Sequence, residues 1–291
     1  MKKKAGILIN PISGGKSKTL VIEVIKNNFP TEFDFELIVW EKSEQREEII
    51  QKIRNKKYDV VVAAGGDGTI NLVATAVQGT DSTMAIIPLG SGNGLARHLK
   101  IPLNIKKAIE LIGTGKQITI DGCKVNGINF FCASGVGFDA HVAGLFAHSK
   151  KRGLFNYLKI TVNDFLRYKP ESYTLTIDDK TYSPRAFLIG VCNGSQYGNN
   201  AYVAPQADTS DGFLDIVVMK PFGFFKAILI GIRIFSGNLH KSSYVDVYKG
   251  RQIKVVRNSK GPIHFDGEPE EMGQELNYSI KSSSLKVIVP R

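Results

Sequence analysis

The chain has 291 residues, of which 43% are hydrophobic, 9% aromatic and 22% charged, a balance that excludes a disordered or low-complexity protein and leaves room for two domains. Its 38 Lys and Arg against 27 Asp and Glu give a net charge of +11, which favours an anionic partner: a nucleotide, a nucleic acid or an acidic membrane surface. The odd, widely spaced set Cys123, Cys132 and Cys192 points to neither a disulfide framework nor a zinc cluster and fits a reducing compartment.

The charged start Met1-Lys2-Lys3-Lys4 imitates a signal peptide, but the apolar stretch 5–9 ends at once in Asn10-Pro11 and reads as a strand. Strands at 6–9, 35–39, 60–64 and 85–88 alternate with helices near 18–28, 44–54, 70–77 and 105–112, the rhythm of βαβ units. Segment 60–64 is apolar throughout, as a strand covered on both faces should be. After about residue 118 the pattern turns to strands, at 128–133, 173–177, 186–192, 213–218, 245–247, 252–256, 278–280 and 285–289. Helices at 154–166 and 224–235 and a long polar connection at 193–211 interrupt them. The expectation is an α/β domain over 1–120 and a β-rich domain over 121–280. The most membrane-like segment, 221–235, carries Lys226 and Arg233 and falls short of the roughly 18–20 apolar residues of a span, so no transmembrane helix is expected.

Three Gly-rich turns follow strands of the first half. The first, Asn10-Pro11-Ile12-Ser13-Gly14-Gly15-Lys16-Ser17, could seat a phosphate against the next helix but puts Asn10 where a P-loop has its first Gly. In the second, Gly65-Gly66-Asp67-Gly68-Thr69, three glycines let backbone approach an anion, and Asp67 among them suggests a metal or an oriented hydroxyl beside phosphate. The third is Pro88-Leu89-Gly90-Ser91-Gly92-Asn93-Gly94. None matches the dinucleotide fingerprint G-x-G-x-x-G, yet three such turns at the carboxyl ends of strands of one sheet would build one site.

These turns, with Ile120-Asp121-Gly122, the stretch Ala133-Ser134-Gly135-Val136-Gly137-Phe138-Asp139, Asp211-Gly212-Phe213-Leu214-Asp215 and Asp266-Gly267-Glu268, together resemble the diacylglycerol kinase catalytic-domain family, which includes bacterial soluble lipid kinases and sphingosine kinases. The resemblance runs through nearly the whole chain in the family's order. It implies a two-domain lipid kinase fold, with an N-terminal α/β nucleotide domain like those of NAD kinase and phosphofructokinase, a C-terminal β-sandwich, a cleft for the lipid headgroup, and a last strand, 281–291, that returns to the first domain. It also implies transfer of the ATP γ-phosphoryl group, with Mg²⁺, to a lipid hydroxyl. By the same resemblance Asn10, Ser13 and Gly14 would line the nucleotide. Gly65, Gly66, Asp67, Gly68, Thr69 and Asn71 would surround its phosphates, with Ser91 and Asn93 adding contacts. Asp67 and Asp121 would assist catalysis or place Mg²⁺, Asp266 would be the general base, and Asp208, Asp211 and Phe213 would hold a structural Mg²⁺.

Two positions depart from the pattern. Gly94 stands where bacterial diacylglycerol kinases usually carry Asp and is closer to the sphingosine kinase form, which opens the acceptor to a sphingoid or ceramide-like lipid. Trp40 replaces a Thr that contacts nucleotide in relatives. Read alone, Asp266-Gly267 is a hairpin turn, Asp121-Gly122 invites the same reading, and the 207–213 loop is equally an Asx turn. His98, His141, His148, His240 and His264 have no metal-ligand spacing and read as surface or core residues. Segment 150–159 reads as a membrane-contact helix, a nucleic-acid patch or a solvated helix with an apolar core face, and segment 222–230 as a surface that dips into a bilayer or one packed over the β domain. The expected partners are a lipid substrate and, transiently, an anionic membrane, with no nucleic acid and a homodimer left open; the expected location is cytoplasmic, peripheral at the inner membrane surface. A kinase of a soluble acceptor such as NAD, and a non-catalytic nucleotide-binding module, are the alternatives.

Overall fold

A computed structural model describes residues 2–10, 18–149 and 154–291. The chain divides into two units, Met1–Gly122 with Ser283–Arg291 and Cys123–Ser282. In the first, β1 (Lys3–Ile9), α1 (Lys18–Asn28), β2 (Phe33–Val39), α2 (Arg46–Lys56), β3 (Val60–Gly65), α3 (Asp67–Val77), β4 (Thr83–Pro88), α4 (Gly94–His98) and α5 (Ile105–Thr114) follow in order. The strands form a parallel sheet in the order β4-β3-β1-β2, with Ala5 opposite Val60 and Val60 opposite Thr83. Every residue of β3 and β4 is buried, as a parallel strand covered on both faces requires. Ile7, Ile9, Val62, Ala64, Ala85 and Ile87 pack with Val21 and Ile25 of α1 and Ile109 and Ile112 of α5. Because α3 opens at Asp67 rather than at the expected Ile70, most of the second Gly turn is the helix's first turn.

Strand β5 (Lys116–Val125) runs from the first unit into the second, straight through the segment where the hydrophobic pattern changes. The second unit continues with β6 (Ile128–Phe130), β7 (Ala133–Gly137), α6 (Phe138–Ala147), α7 (Leu154–Phe165), β8 (Glu171–Ile177), β9 (Lys180–Tyr182), β10 (Arg185–Ala186), β11 (Leu188–Cys192) and β12 (Leu214–Met219). Then come α8 (Phe224–Phe235), β13 (Val245–Gly250), β14 (Gln252–Arg257), β15 (Gly261–Phe265) and β16 (Glu268–Met272). The final strand, β17 (Glu275–Val289), starts on β14 and ends with Val287 parallel to Met84 of the first unit's β4. It is one strand rather than the two short ones expected, bent at Ser283 with φ +49°.

Strands β13-β12-β11-β7-β15-β16 make an antiparallel sheet. Period-two alternation sends Leu214, Ile216 and Val218 of β12 to one face, where they meet Leu175, Val255 and Tyr278, and Val217 and Met219 to the other, where they meet Phe138, Val142 and Ile230. The second unit is therefore a β-sandwich with helices on the outer face of one sheet.

Candidate active site

The second and third Gly turns are built as one object. A Cβ on Gly90 would lie 2.6 Å from Gly66 Cα, so glycine there lets two backbones touch. Asp67 locks them: its Oδ2 accepts from Asn93 N (2.9 Å) and its Oδ1 from Gly94 N (2.7 Å). Asn93, at φ +54°, turns its amide back on Gly90, accepting from Gly90 N (3.0 Å) and donating to Gly90 O (2.7 Å). Arg97 Nε adds a bond to Gly92 O (3.0 Å). Pro88–Asn93 is thus a preformed loop with Ser91 exposed at its tip.

Among the described residues no side chain caps the N-terminus of α3, a helix end whose amides suit an anionic acceptor. The Thr69 hydroxyl is buried there without a hydrogen-bond partner among the described residues. Asn71, also buried, accepts from Arg46 Nη2 at 2.6 Å, which places a guanidinium one turn along α3. Arg46 did not stand out in the sequence, because its partner lies 25 residues away on another helix. Asn10 N bonds Ala64 O (3.3 Å), which puts the end of β1 beside β3, and Trp40 N bonds Ile9 O (3.0 Å) next to it. Ser13 and Gly14, and the basic residues Lys150, Lys151 and Arg152, lie outside the described residues.

Asp121 is fully buried, and its Oδ1 accepts from Ser283 N at 2.7 Å. That bond holds the bend of β17 where its φ is positive, and the Gly122 beside it has no room for a Cβ against Gln78. In this geometry Asp121 pins the returning strand.

In the second unit Asp266 and Gly267, at φ +49° and +83°, form the two-residue turn of the β15–β16 hairpin, the geometry that Asp-Gly favours. The hairpin also aims a carboxylate. Asp266 Oδ1 accepts from Cys132 N (2.8 Å) and Ala133 N (3.2 Å), and Oδ2 from Phe131 N (2.9 Å). Three backbone donors solvate the anion and fix its direction. Their segment is held in turn by Asn193, whose Nδ2 donates to Phe131 O (2.9 Å) and whose N donates to Cys132 O (2.9 Å).

Beneath this turn lies a buried polar cluster. Asp139 Oδ2 accepts from the Tyr197 hydroxyl (2.6 Å) and sits 3.1 Å from His264 Nε2, while Oδ1 accepts from Ala140 N (2.8 Å). A Cβ on Gly135 would strike the Asp139 carboxylate and lie 3.0 Å from His264 Nε2, so the glycine makes the space. Burial, with the Asp139 charge, holds the Tyr197 phenol well above its ordinary range. His264, expected as a surface or core residue, is buried and lies within hydrogen-bond distance of Asp139, two residues from Asp266 on β15.

The loop expected to hold Mg²⁺ is organised around a lysine. Asp208 Oδ1 accepts from Ser210 N (2.9 Å) and Oγ (2.7 Å), and Asp211 Oδ1 accepts from Phe213 N (2.9 Å). Lys249 Nζ lies 2.6 Å from Asp211 Oδ2 and 3.5 Å from Asp215 Oδ2. Burial raises the Asp215 carboxyl to about 6 against the pull of Lys249. A divalent ion on Asp208, Asp211 and Phe213 would have to displace that ammonium, and among the described residues no group of three or more His, Cys, Asp or Glu side chains is arranged for a metal. The loop as it stands does not fit the ion: an Asx turn and an ion pair take its place.

The family model of the diacylglycerol kinase catalytic domain matches residues 4–125, and that of the YegS C-terminal NAD kinase beta sandwich-like domain matches residues 133–289. A relative in Pseudomonas aeruginosa named "Probable lipid kinase YegS-like" is 29% identical over 257 residues, covering 87% of this chain and 83% of that protein. Its namesake in Shewanella frigidimarina is 26% identical over 262 residues, with the same shares. A solved diacylglycerol kinase structure from Bacillus anthracis str. Sterne, 21% identical, has the same fold at a TM-score of 0.75 over 99% of this chain and 97% of that one. Residues 4–125 thus match the diacylglycerol kinase catalytic domain, and through residues 133–289 the chain belongs to the family of the YegS C-terminal NAD kinase beta sandwich-like domain, as a kinase.

Proposed function

We propose that this kinase transfers the γ-phosphoryl group of ATP to the hydroxyl of a membrane lipid, either diacylglycerol or a sphingoid or ceramide-like lipid. The observation that carries the reading is the pair of interlocked turns: an α3 start that has no side-chain cap among the described residues, beside a buried Thr69 hydroxyl that has no hydrogen-bond partner among them, clamped by Asp67 to the Gly90–Gly94 loop. Amides of that turn bind phosphate oxygens, and Asn71, Ser91 and Asn93 complete the nucleotide contacts. Mg²⁺ arriving with ATP neutralises charge on the β- and γ-phosphates. Asp67, half-buried at the start of α3, is the acid that would hold it.

In the second unit Asp266 takes the hydroxyl proton as the oxygen forms its bond to Pγ and the bond from Pγ to ADP breaks. The transition state is loose, so Asp266 serves chiefly by orienting the hydroxyl, and the three amide donors on its carboxylate supply that orientation. The names of the relatives support a lipid acceptor. Among the described residues no helix is long and apolar enough to cross a membrane, and the +11 charge suits transient attachment to anionic lipid. The enzyme would work as a peripheral protein on the inner membrane surface.

γ-Labelled ATP offered with diacylglycerol, monoacylglycerol, sphingosine and ceramide in mixed micelles, and with NAD as a soluble acceptor, tests the reading. Label is expected in one or more lipids. Label in NAD alone, or in nothing, would refute it.

A further inference from the structure

The exposed apolar side chains of the second unit are concentrated on two helices. On α8, Phe225 is 85% exposed, Ile228 60%, Leu229 53% and Ile232 60%, at i, i+3, i+4 and i+7, while Ile230 on the opposite side is buried. Helix α7 repeats the pattern with Phe155 at 85% and Val162 at 60%, continued by Leu166 at 73% just past its end. The helices adjoin: the Phe165 ring lies 5.4 Å from that of Phe222 and 6.3 Å from that of Phe224. A helix on a soluble protein turns its apolar stripe inward. These two bury one apolar side and hold out another.

On α8 the charges beside the patch have one sign. Helix α8 carries Lys226 and Arg233, seven residues apart and so on one flank, and no acid. Helix α7 carries Lys159, with Arg167 and Lys169 following, and its Asp164 lies 3.6 Å from His141. We propose that the outer face of α7 and α8 lies in the headgroup layer of an anionic bilayer, with Phe155, Phe225, Ile228 and Ile232 among the acyl chains and Lys226 and Arg233 reaching lipid phosphates. This rests on the lipid-kinase reading and names the surface by which such an enzyme meets its substrate's membrane. A second copy is the poorer occupant, because a two-fold pairing would set the acid-free, positive flank of α8 against itself.

Sedimentation with phosphatidylcholine vesicles, with and without phosphatidylglycerol, tests the face without nucleotide. The unaltered protein should bind the phosphatidylglycerol vesicles, and less so at high salt. The Phe225→Ser/Ile228→Ser double variant should bind about a hundredfold more weakly, the scale expected for two lost apolar anchors. Leu20→Ser, which alters an apolar side chain 61% exposed in the other unit, should bind normally. A double variant that binds like the unaltered protein overturns the proposal. So does a lipid-free dimer that the double substitution dissolves while vesicles bind neither form. Micellar phosphoryl transfer by the same variants separates the two readings: activity without face-dependent binding removes the docking face, and face-dependent binding without transfer to any lipid keeps the face and removes the proposed function.

Discussion

Helices α3 and α5 of the first unit begin in opposite ways. At α5 the Asn104 side chain accepts from Lys107 N at 3.2 Å, an internal cap worth about 1 kcal/mol. At α3 the capping position is Gly66, which has no side chain to offer, and the neighbouring Gly65 leaves its space to Thr69. The first arrangement satisfies the helix from within. Among the described residues the second leaves the helix end without a side-chain cap and a buried hydroxyl without a partner, so an omitted cap can mark a ligand end as clearly as a charged cluster does.

The contrast breaks most severely at Gly90. Its Cβ would press on Gly66 Cα, where neither backbone can yield, so Gly90→Ala should separate the turns and weaken ATP binding about a hundredfold, as small misplacements in such sites do. Calorimetric titration with ATP reads this; unaltered affinity would mean the turns need not touch. Next in size is Asp266→Asn, which points an amide where three N–H groups now donate and should lower kcat about 10²–10⁴-fold with ATP affinity kept. Steady-state kinetics should show the split.

Asp215 sharpens the comparison from the stability side. Its folded value of about 6 lies above the ordinary carboxylate value, so the stability it contributes is present below about pH 4 and is lost as pH rises through about 6. Asp215→Asn should recover up to about 2 kcal/mol at pH 7 and little at pH 4, in thermal melts across that range. The smallest effect belongs to the control helix. Asn104→Ala should cost about 1 kcal/mol in denaturant unfolding and leave ATP affinity alone.

The α/β and β-rich halves and the second and third turns were legible because their signals are local: runs of apolar residues, then glycines at strand ends; the sandwich came only with the family resemblance. What escaped depends on distant partners. Asp139 stood in a quoted motif without a role, because His264 is 125 residues away, and Gly135 announces the cluster only once the space it vacates is seen. The Asp208–Phe213 loop read as a cation site because Lys249, the cation that fills it, is 38 residues from Asp211. For Asp121 the deciding bond runs 162 residues to Ser283, and no spacing rule connects a carboxylate to a bend in the last strand. Helix α6 went unread because Gly135 and Gly137 directly before it look like loop, although they belong to a buried strand.

The central claim is that the Asp67 clasp shapes a nucleotide-phosphate site. Titrating ATP with Mg²⁺ into the unaltered protein and into Asp67→Ala, with circular dichroism to confirm that both are folded, tests it most directly. The account predicts saturable binding to the first and at least about tenfold weaker binding to the second, the cost of about 1.4 kcal/mol or more. Equal affinity in two folded proteins would contradict it.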